Sequence, residues 1–263
     1  MRGSFIMTQS LSALIGDAGL GEGAESAMQL VVDDVGVAIQ AGLGDVTIDD
    51  IETSEVVLVS LLVDDSGSIR FGNNAQAVRD GHNLVIDALK DAKSSAAILI
   101  SCGYLNGQLL YPYVTLDNAV RMDSNNFNPG GGTPLYRQSE VVLTTVAAKM
   151  AEFENGGVAA RAITVIVTDG GDNGGPTAPR STTQMVEGLL RTEQHIVAGV
   201  GVDDGYTDFR AVFGSMGLPD EWVLTPGNSP SEIRAAFQTI SQSAVRASQT
   251  ATFSQTAMGG FGG

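Results

Sequence analysis

The chain has 263 residues, of which 43% are hydrophobic and 17% charged, and its formal net charge is −16 at pH 7. This composition predicts a folded chain with one large core and excludes a disordered polyampholyte or a coiled coil. Because the negative charge repels phosphate backbones and anionic lipid headgroups, we expect neither nucleic acid nor a membrane surface as a partner.

The cysteine content and the apolar runs bear on where the protein is located. Cys102 is the single cysteine, so no internal disulfide can form. The longest apolar run, residues 56–63, is far shorter than the roughly 20 residues that a membrane-spanning helix needs. The first residues lack the apolar stretch and cleavage site of a signal peptide. The sequence therefore predicts a cytoplasmic protein.

Residues 1–54 are interpreted as an acidic N-terminal extension. Between residues 3 and 69 the chain contains Asp and Glu but no Lys or Arg. A charge run of this kind is typical of a solvated lead-in segment. A docking surface for a basic partner is the alternative.

Residues 55–243 alternate between short apolar runs and helical patterns, and we interpret them as one domain. Predicted strands cover residues 56–63, 97–100, 109–116, 163–167, 196–202 and 222–224, and predicted helices cover 75–89, 135–154, 182–191 and 230–245. This alternation predicts an α/β fold of the Rossmann-like, doubly wound type, with a mostly parallel sheet and helices on both faces. The Asn106-Gly107 turn makes strand 109–116 the antiparallel hairpin partner at the sheet edge.

Two chain segments carry further local signals. Thr133 suits the N-cap and Pro134 the first position of the helix that follows them. Residues 244–263 are rich in Ser, Thr, Gln, Ala and Gly, which predicts a flexible tail. The chain ends in Gly262-Gly263, as ubiquitin-like modifiers do, but glycine is abundant in this sequence and low complexity is the preferred interpretation.

Three junctions in the predicted domain carry polar side chains that could bind a ligand. The first strand runs into Asp64-Asp65-Ser66-Gly67-Ser68, and the 163–167 strand runs into Thr168-Asp169-Gly170. Between them, Gly130-Gly131-Gly132-Thr133-Pro134 places a hydroxyl behind a glycine loop. Because ligands bind at the carboxyl ends of parallel strands, these junctions are expected to meet at one edge of the sheet.

The chemistry of this cluster indicates a hard cation. Its candidate ligands are carboxylates and hydroxyls, with no imidazole or thiolate among them, which favours Mg²⁺ or Mn²⁺ over zinc and leaves Ca²⁺ as a further candidate. The candidate metal ligands are Asp64, Ser66, Ser68, Thr133 and Asp169. Asp65, Asp172 and Asn173 lie beside them and are interpreted as loop residues or as residues that support the ligands.

Asp64-x-Ser66-x-Ser68, Thr133 in Gly-Gly-Gly-Thr-Pro-Leu and Asp169 in Val-Thr-Asp-Gly occur in this order after the predicted strands. The pattern resembles a von Willebrand factor A (vWA) domain with a metal-ion-dependent adhesion site (MIDAS), of the bacterial stand-alone type, over residues 55–243. The resemblance implies that Ser66 and Ser68 bind the metal directly, that Asp64 and Asp169 act mainly through water, and that Thr133 does either.

The same resemblance implies a function in protein interaction. The open metal position would take a carboxylate from a partner protein, and the domain itself would not be an enzyme. By similarity to compact bacterial members, the partners would include a MoxR-type AAA+ ATPase or the kinase and phosphatase companions of tellurite-resistance-type proteins. The oligomeric state stays open.

An enzyme is the alternative. Asp64 after a buried strand is similar to the aspartyl nucleophile of Mg²⁺-dependent haloacid-dehalogenase-like phosphatases, although that family has a second Asp where this chain has Ser66. A serine hydrolase is disfavoured because the two histidines, His82 and His195, are predicted to be structural. The chain lacks a Walker phosphate loop and a dinucleotide fingerprint, and we predict that Cys102 is a small core residue.

Overall fold

The computed structural model describes residues 9–92, 94, 96–175, 177–249 and 259–261. The strands are β1 (Glu55–Val63), β2 (Ala97–Tyr104), β3 (Leu109–Thr115), β4 (Ala159–Thr168), β5 (His195–Gly201) and β6 (Val223–Leu224). The α-helices are α1 (Leu11–Asp17), α2 (Glu22–Leu43), α3 (Asn74–Asp91), α4 (Leu135–Asn155), α5 (Arg180–Arg191), α6 (Phe209–Ser215) and α7 (Pro230–Gln249).

The six strands form one sheet in the order β3-β2-β1-β4-β5-β6. Every neighbouring pair is parallel except β2 and β3, which form the antiparallel hairpin at one edge. The predicted fold class is therefore confirmed, including the antiparallel edge strand.

β1 lies at the centre of the sheet because both of its faces are apolar. Val57, Val59 and Leu61 pack in the core on the α3 and α7 side, and Val56 and Leu58 pack on the opposite side. Every residue of β1 after Glu55 is buried. A strand buried on both faces explains why its sequence is a continuous apolar run instead of an alternating one.

The N-terminal segment contains two helices that the acidic interpretation did not foresee. α2 packs against α4 and α5, and α1 packs against α2 and α4. Leu14, Met28 and Ile39 from these helices are buried in the core on the α4 side of the sheet. Residues 11–43 are therefore a packed outer layer, and their acidic side chains lie on its outside.

The C-terminal segment also contacts the domain. α7 continues to Gln249, past the predicted domain boundary at residue 243. Arg246 donates a hydrogen bond to the Gly260 carbonyl, and the Phe261 ring lies 5.3 Å from the Trp222 ring. Residues 250–258 and 262–263, part of the predicted flexible tail, lie outside the described residues.

The start of α4 differs from the prediction. The helix begins at Leu135, so Pro134 takes the cap position, and Thr133 does not cap it. Asp172, from the loop after β4, instead accepts a hydrogen bond from the Tyr136 backbone N–H at 3.0 Å. The Thr133 side chain is thus left for another role.

In the described part of the chain, every helix is too short or too polar to cross a bilayer.

Candidate functional site

The carboxyl ends of β1 and β4 bring Asp64 and Asp169 together. The two strands are parallel neighbours, and the Asp64 N–H donates to the Val167 carbonyl at 2.9 Å. Each aspartate immediately follows its strand, so both side chains reach the same edge of the sheet. This edge is where an open α/β sheet usually binds its ligand.

Asp64 is held rigidly by hydrogen bonds to both of its carboxylate oxygens. Oδ1 accepts the Ser66 backbone N–H at 2.7 Å, and Oδ2 accepts the Thr168 hydroxyl at 2.7 Å and the Asp169 N–H at 3.3 Å. The side chain is 0% exposed. Asp64 therefore organises the turn after β1 and the loop after β4 at the same time.

The hydroxyls of Ser66 and Ser68 converge on one oxygen of Asp169. Ser68 Oγ lies 2.7 Å and Ser66 Oγ 3.3 Å from Asp169 Oδ1, and the two hydroxyl oxygens are 2.9 Å apart. Ser66 and Asp169 are buried, whereas Ser68 is exposed. The three oxygens form a small triangle, and solvent reaches the cluster on the Ser68 side.

The glycine loop carries Thr133 to this cluster. Ser66 and Gly131 form an isolated parallel β-bridge, and the Gly67 N–H donates to the Gly131 carbonyl at 3.2 Å. Thr133 is 7% exposed, and a Cβ built on Gly170 would be 3.8 Å from its hydroxyl oxygen. The structure therefore brings all five predicted site residues to one edge of the sheet.

Asp65 joins three loops instead of pointing at the cluster. Its Oδ1 accepts the Asn106 N–H at 3.0 Å, and its backbone carbonyl accepts the Gly130 N–H at 2.8 Å and the Gly131 N–H at 3.2 Å. Burial raises the pKa of the Asp65 carboxyl, and the neighbouring charge of Asp64 raises it as well. The interpretation of Asp65 as a supporting residue agrees with these contacts.

Asp172 and Asn173 support Thr133 from the other side. Asp172 accepts the Tyr136 N–H at the start of α4, and the Asn173 N–H donates to the Thr133 carbonyl at 3.0 Å. Thr168 completes this support through its bond to Asp64. Sequence reasoning did not assign a role to Thr168, although its position directly before Asp169 was a usable signal.

The electrostatics of the cluster favour a bound cation. Burial raises the pKa of Asp169 to about 6, and the Asp64 carboxylate also raises it, while the hydrogen bonds from Ser68 and Ser66 lower it. Among the described residues, no Lys, Arg or His forms an ion pair with Asp64 or Asp169. Two buried carboxylates without a positive partner are costly, and a divalent cation would supply the missing charge.

The donor set fits a small hard cation. Neighbouring ligand oxygens of an octahedral Mg²⁺ lie about 2.9 Å apart, because each bond is about 2.0–2.1 Å long. The separation of the Ser66 and Ser68 hydroxyl oxygens, 2.9 Å, agrees with this spacing. Within the described ranges, no group of three or more His, Cys, Asp or Glu side chains is arranged to hold a metal. The five candidate ligands are three hydroxyls and two carboxylates, without the imidazole or thiolate that zinc usually takes.

The histidines and the cysteine lie outside this cluster, as predicted. His82 is buried in α3 and its Nε2 lies 2.8 Å from the Tyr111 hydroxyl. His195 is the first residue of β5, at the opposite edge of the sheet, and is buried. Cys102 is a fully buried core residue, and burial raises the pKa of its thiol.

No protein-family model matches the sequence, and no curated protein matches it at sequence level. Solved structures do match the fold. A von Willebrand factor type A protein from Catenulispora acidiphila superposes with a TM-score of 0.52 at 15% identity, over 73% of this chain and 43% of that one. The open form of the pilus adhesin SpaC from Lactobacillus rhamnosus GG gives a TM-score of 0.51 at 17% identity, over 73% of this chain and 30% of the adhesin.

This chain therefore spans less than half of each of these two proteins, so the likeness concerns the shared domain. The mostly parallel six-stranded sheet, its one antiparallel strand and the flanking helices of this structure match that domain's fold. The chain has the fold of the von Willebrand factor type A domain.

Proposed function

We propose that this chain is a divalent-metal-dependent protein-interaction module. One Mg²⁺ or Mn²⁺ ion, with Ca²⁺ as a further candidate, would be held by Asp64, Ser66, Ser68, Thr133 and Asp169. The observation that carries the proposal is the convergence of the Ser66 and Ser68 hydroxyls on one oxygen of Asp169, beside the buried Asp64. The ion would supply positive charge at a solvent-accessible edge.

A partner carboxylate is the ligand that best suits such an ion. The exposed position of Ser68 leaves the cluster open to solvent on one side, so a partner side chain can approach there. An Asp or Glu of the partner is a hard oxygen donor, as the protein's own ligands are. Classes of partner implied by the sequence resemblance are an AAA+ ATPase and a tellurite-resistance-type complex, and the proposed location is the cytoplasm.

The phosphohydrolase alternative is disfavoured by the burial of Asp64. An aspartyl nucleophile must reach the phosphorus atom of its substrate, and Asp64 is 0% exposed with hydrogen bonds on both carboxylate oxygens. We therefore propose a non-enzymatic role. With Mg²⁺ present, hydrolysis of p-nitrophenyl phosphate should not exceed that of an Asp64→Ala control. Metal-dependent turnover that disappears with Asp64 would establish the enzyme instead.

Partner capture tests the interaction role directly. The immobilised full chain should retain a specific protein from a lysate in Mg²⁺ and release it in EDTA. Asp64→Asn, which keeps the side-chain shape but removes its charge, should lose this capture, whereas Asp87→Asn at an exposed ion pair with Arg121 should not. Replacing one Asp or Glu of the captured protein should abolish binding. Capture that is the same in EDTA and in Asp64→Asn would contradict the proposal.

A further inference from the structure

A recess of about 200 Å³ lies on the face of the sheet opposite α3 and α7, and none of the five candidate metal ligands lines it. Its floor is the surface of β1 and β2, and its walls come from α2, α4 and the turn between β2 and β3. The floor and wall residues that matter below are Ser60, Ser101, Gly103, Gln138, Val141 and Val142.

The recess exists because small residues face the sheet at this point. Ala38 and Ala41 of α2 lie at its mouth and are exposed, and Gly103 of β2 adds no side chain to the floor. Gly42 cannot be larger, since a Cβ there would lie 2.9 Å from Thr145 Cγ2. α2 therefore approaches α4 closely at Gly42, while its alanines leave the space over β2 open.

Lining residues of the recess are uncharged throughout, although the chain carries a net charge of −16. Val141 and Val142 form an apolar wall, and Leu109 at the mouth is 42% exposed. A charged ligand would lose its hydration here without gaining a charged partner. An uncharged ligand with an apolar body loses little hydration free energy on entering the recess, and it buries apolar surface there.

The floor also offers a small number of hydrogen-bonding groups. Ser101 donates to Ser60 Oγ at 3.2 Å, and Ser60 shares a further bond with the fully buried Tyr113 hydroxyl at 2.5 Å. Since Ser101 directs its proton toward Ser60, its oxygen can accept a hydrogen bond from a ligand hydroxyl. The Gln138 side-chain amide, on the wall, offers both a donor and an acceptor.

We propose that this recess is a binding site for a small uncharged molecule that has an apolar body and one hydroxyl group. The hydroxyl donates to Ser101, and the apolar body lies against Val141 and Val142. A cavity of about 150 Å³ already accepts benzene, so a single ring with one hydroxyl fits a recess of this size. The site is independent of the proposed metal function.

Phenol is the probe, with toluene and benzoate as comparison molecules. In a ¹⁵N-labelled full chain, phenol should cause saturable shifts of the Ser101, Gly103 and Gln138 amides with a Kd on the order of 1 mM, as expected for a ligand of this size. Benzoate, which is charged, should cause none. The absence of saturable shifts with phenol, or equal binding of benzoate, would overturn the proposal.

Two variants locate the site. Ala41→Phe fills the mouth and should abolish the phenol shifts, whereas Val37→Phe adds the same ring at a residue of α2 that is 88% exposed and outside the recess, and should leave them unchanged. Ser101→Ala should weaken phenol binding about five-fold by removing one neutral hydrogen bond and should leave toluene binding unchanged. Phenol binding that survives Ala41→Phe, or that does not respond to Ser101→Ala, would place the ligand elsewhere and refute the assignment.

Discussion

Thr168 Oγ1 donates a hydrogen bond of 2.7 Å to Asp64 Oδ2, and both residues are fully buried. The bond joins the end of β4 to the residue that follows β1. It leaves Asp64 in one orientation, with its other oxygen on the Ser66 N–H. Thr168 thus positions the cluster without belonging to the proposed ligand set.

Replacing Thr168 tests this positioning role. Thr168→Val keeps the shape of the side chain but leaves Asp64 Oδ2 without its shortest hydrogen bond, so metal affinity should fall about 10–100-fold. The loss of a partner for a buried carboxylate should also lower the free energy of unfolding by about 1–3 kcal/mol. Thr168→Ser, which keeps the hydroxyl, should retain most of the affinity. Calorimetric titration with Mg²⁺ checks both variants, and equal affinities for the two would refute the role.

The N-terminal helices should contribute to stability as part of the domain. Met28 of α2 is 0% exposed in the core shared with α4 and α5, so Met28→Ala should lower the free energy of unfolding by about 2–5 kcal/mol. Leu30→Ala, on the same helix but 69% exposed, is the matched control and should change it by less than about 0.5 kcal/mol. Urea unfolding measures both, and similar small effects would show that α2 is not packed as described.

Acid should destabilise the protein through its buried histidines. Burial lowers the pKa of His82 to about 4 and that of His195 to about 3 in the folded chain, while the unfolded chain keeps a value near 6.5. Below pH 6.5 the unfolded state therefore binds more protons, and the free energy of unfolding falls as the pH falls. At pH 5 each histidine should lower the free energy of unfolding by about 2 kcal/mol.

His195→Leu isolates one of these two contributions. Among the described residues, neither ring nitrogen of His195 has a hydrogen-bond partner, so leucine removes the titrating group without breaking a hydrogen bond. Urea unfolding at pH 7 and pH 5 should show a smaller loss of stability in the variant than in the parent chain. An equal loss in both chains would mean that His195 is not buried in its neutral form.

Removal of the metal should leave the fold intact. The site lies on loops above a sheet that buries its own apolar surface, so chelation removes only the free energy of ion binding. With the ion at about 100 times its Kd, EDTA should lower the melting temperature by about 5–10 °C. Circular dichroism melts with and without EDTA measure this shift. Unfolding by EDTA at room temperature would make the ion structural and would contradict the interaction role.

Local signals made much of the fold and site predictable. Three segments of the site can be recognised in the sequence. Asp, Ser, Thr and Gly directly follow the apolar strands β1 and β4, and a run of three glycines precedes Thr133. Parallel pairing of β1 and β4 then brings Asp64 and Asp169 together without any further information. The fold class, the antiparallel edge strand and the five candidate ligands could be predicted in this way.

Long-range contacts and weak helical periodicity explain why one contact of the site and two helices were not predicted from the sequence. Asp172 contacts Tyr136 across 36 positions, which no local pattern reveals. The apolar stripe of α2 is interrupted where Val35 leaves helical geometry (φ −131°, ψ 30°), and acidic residues obscure the rest of it. α6 has only seven residues and is fixed by buried side chains such as Phe209 and Phe213. Such elements are determined by tertiary packing more than by propensity.

Calorimetric titration of the chelator-treated chain with Mg²⁺ and Mn²⁺ tests the proposed metal site most directly. The parent chain should bind one ion, and Ser66→Ala/Ser68→Ala should not bind it, because the change removes two of the three converging oxygens. Ser229→Ala/Ser231→Ala is the matched control, since these serines lie outside the cluster, have the same spacing, and their hydroxyl oxygens lie 3.1 Å apart. We expect one site in the parent and the control and none in Ser66→Ala/Ser68→Ala. Binding of parental strength in Ser66→Ala/Ser68→Ala, or no binding by the parent chain, would contradict it.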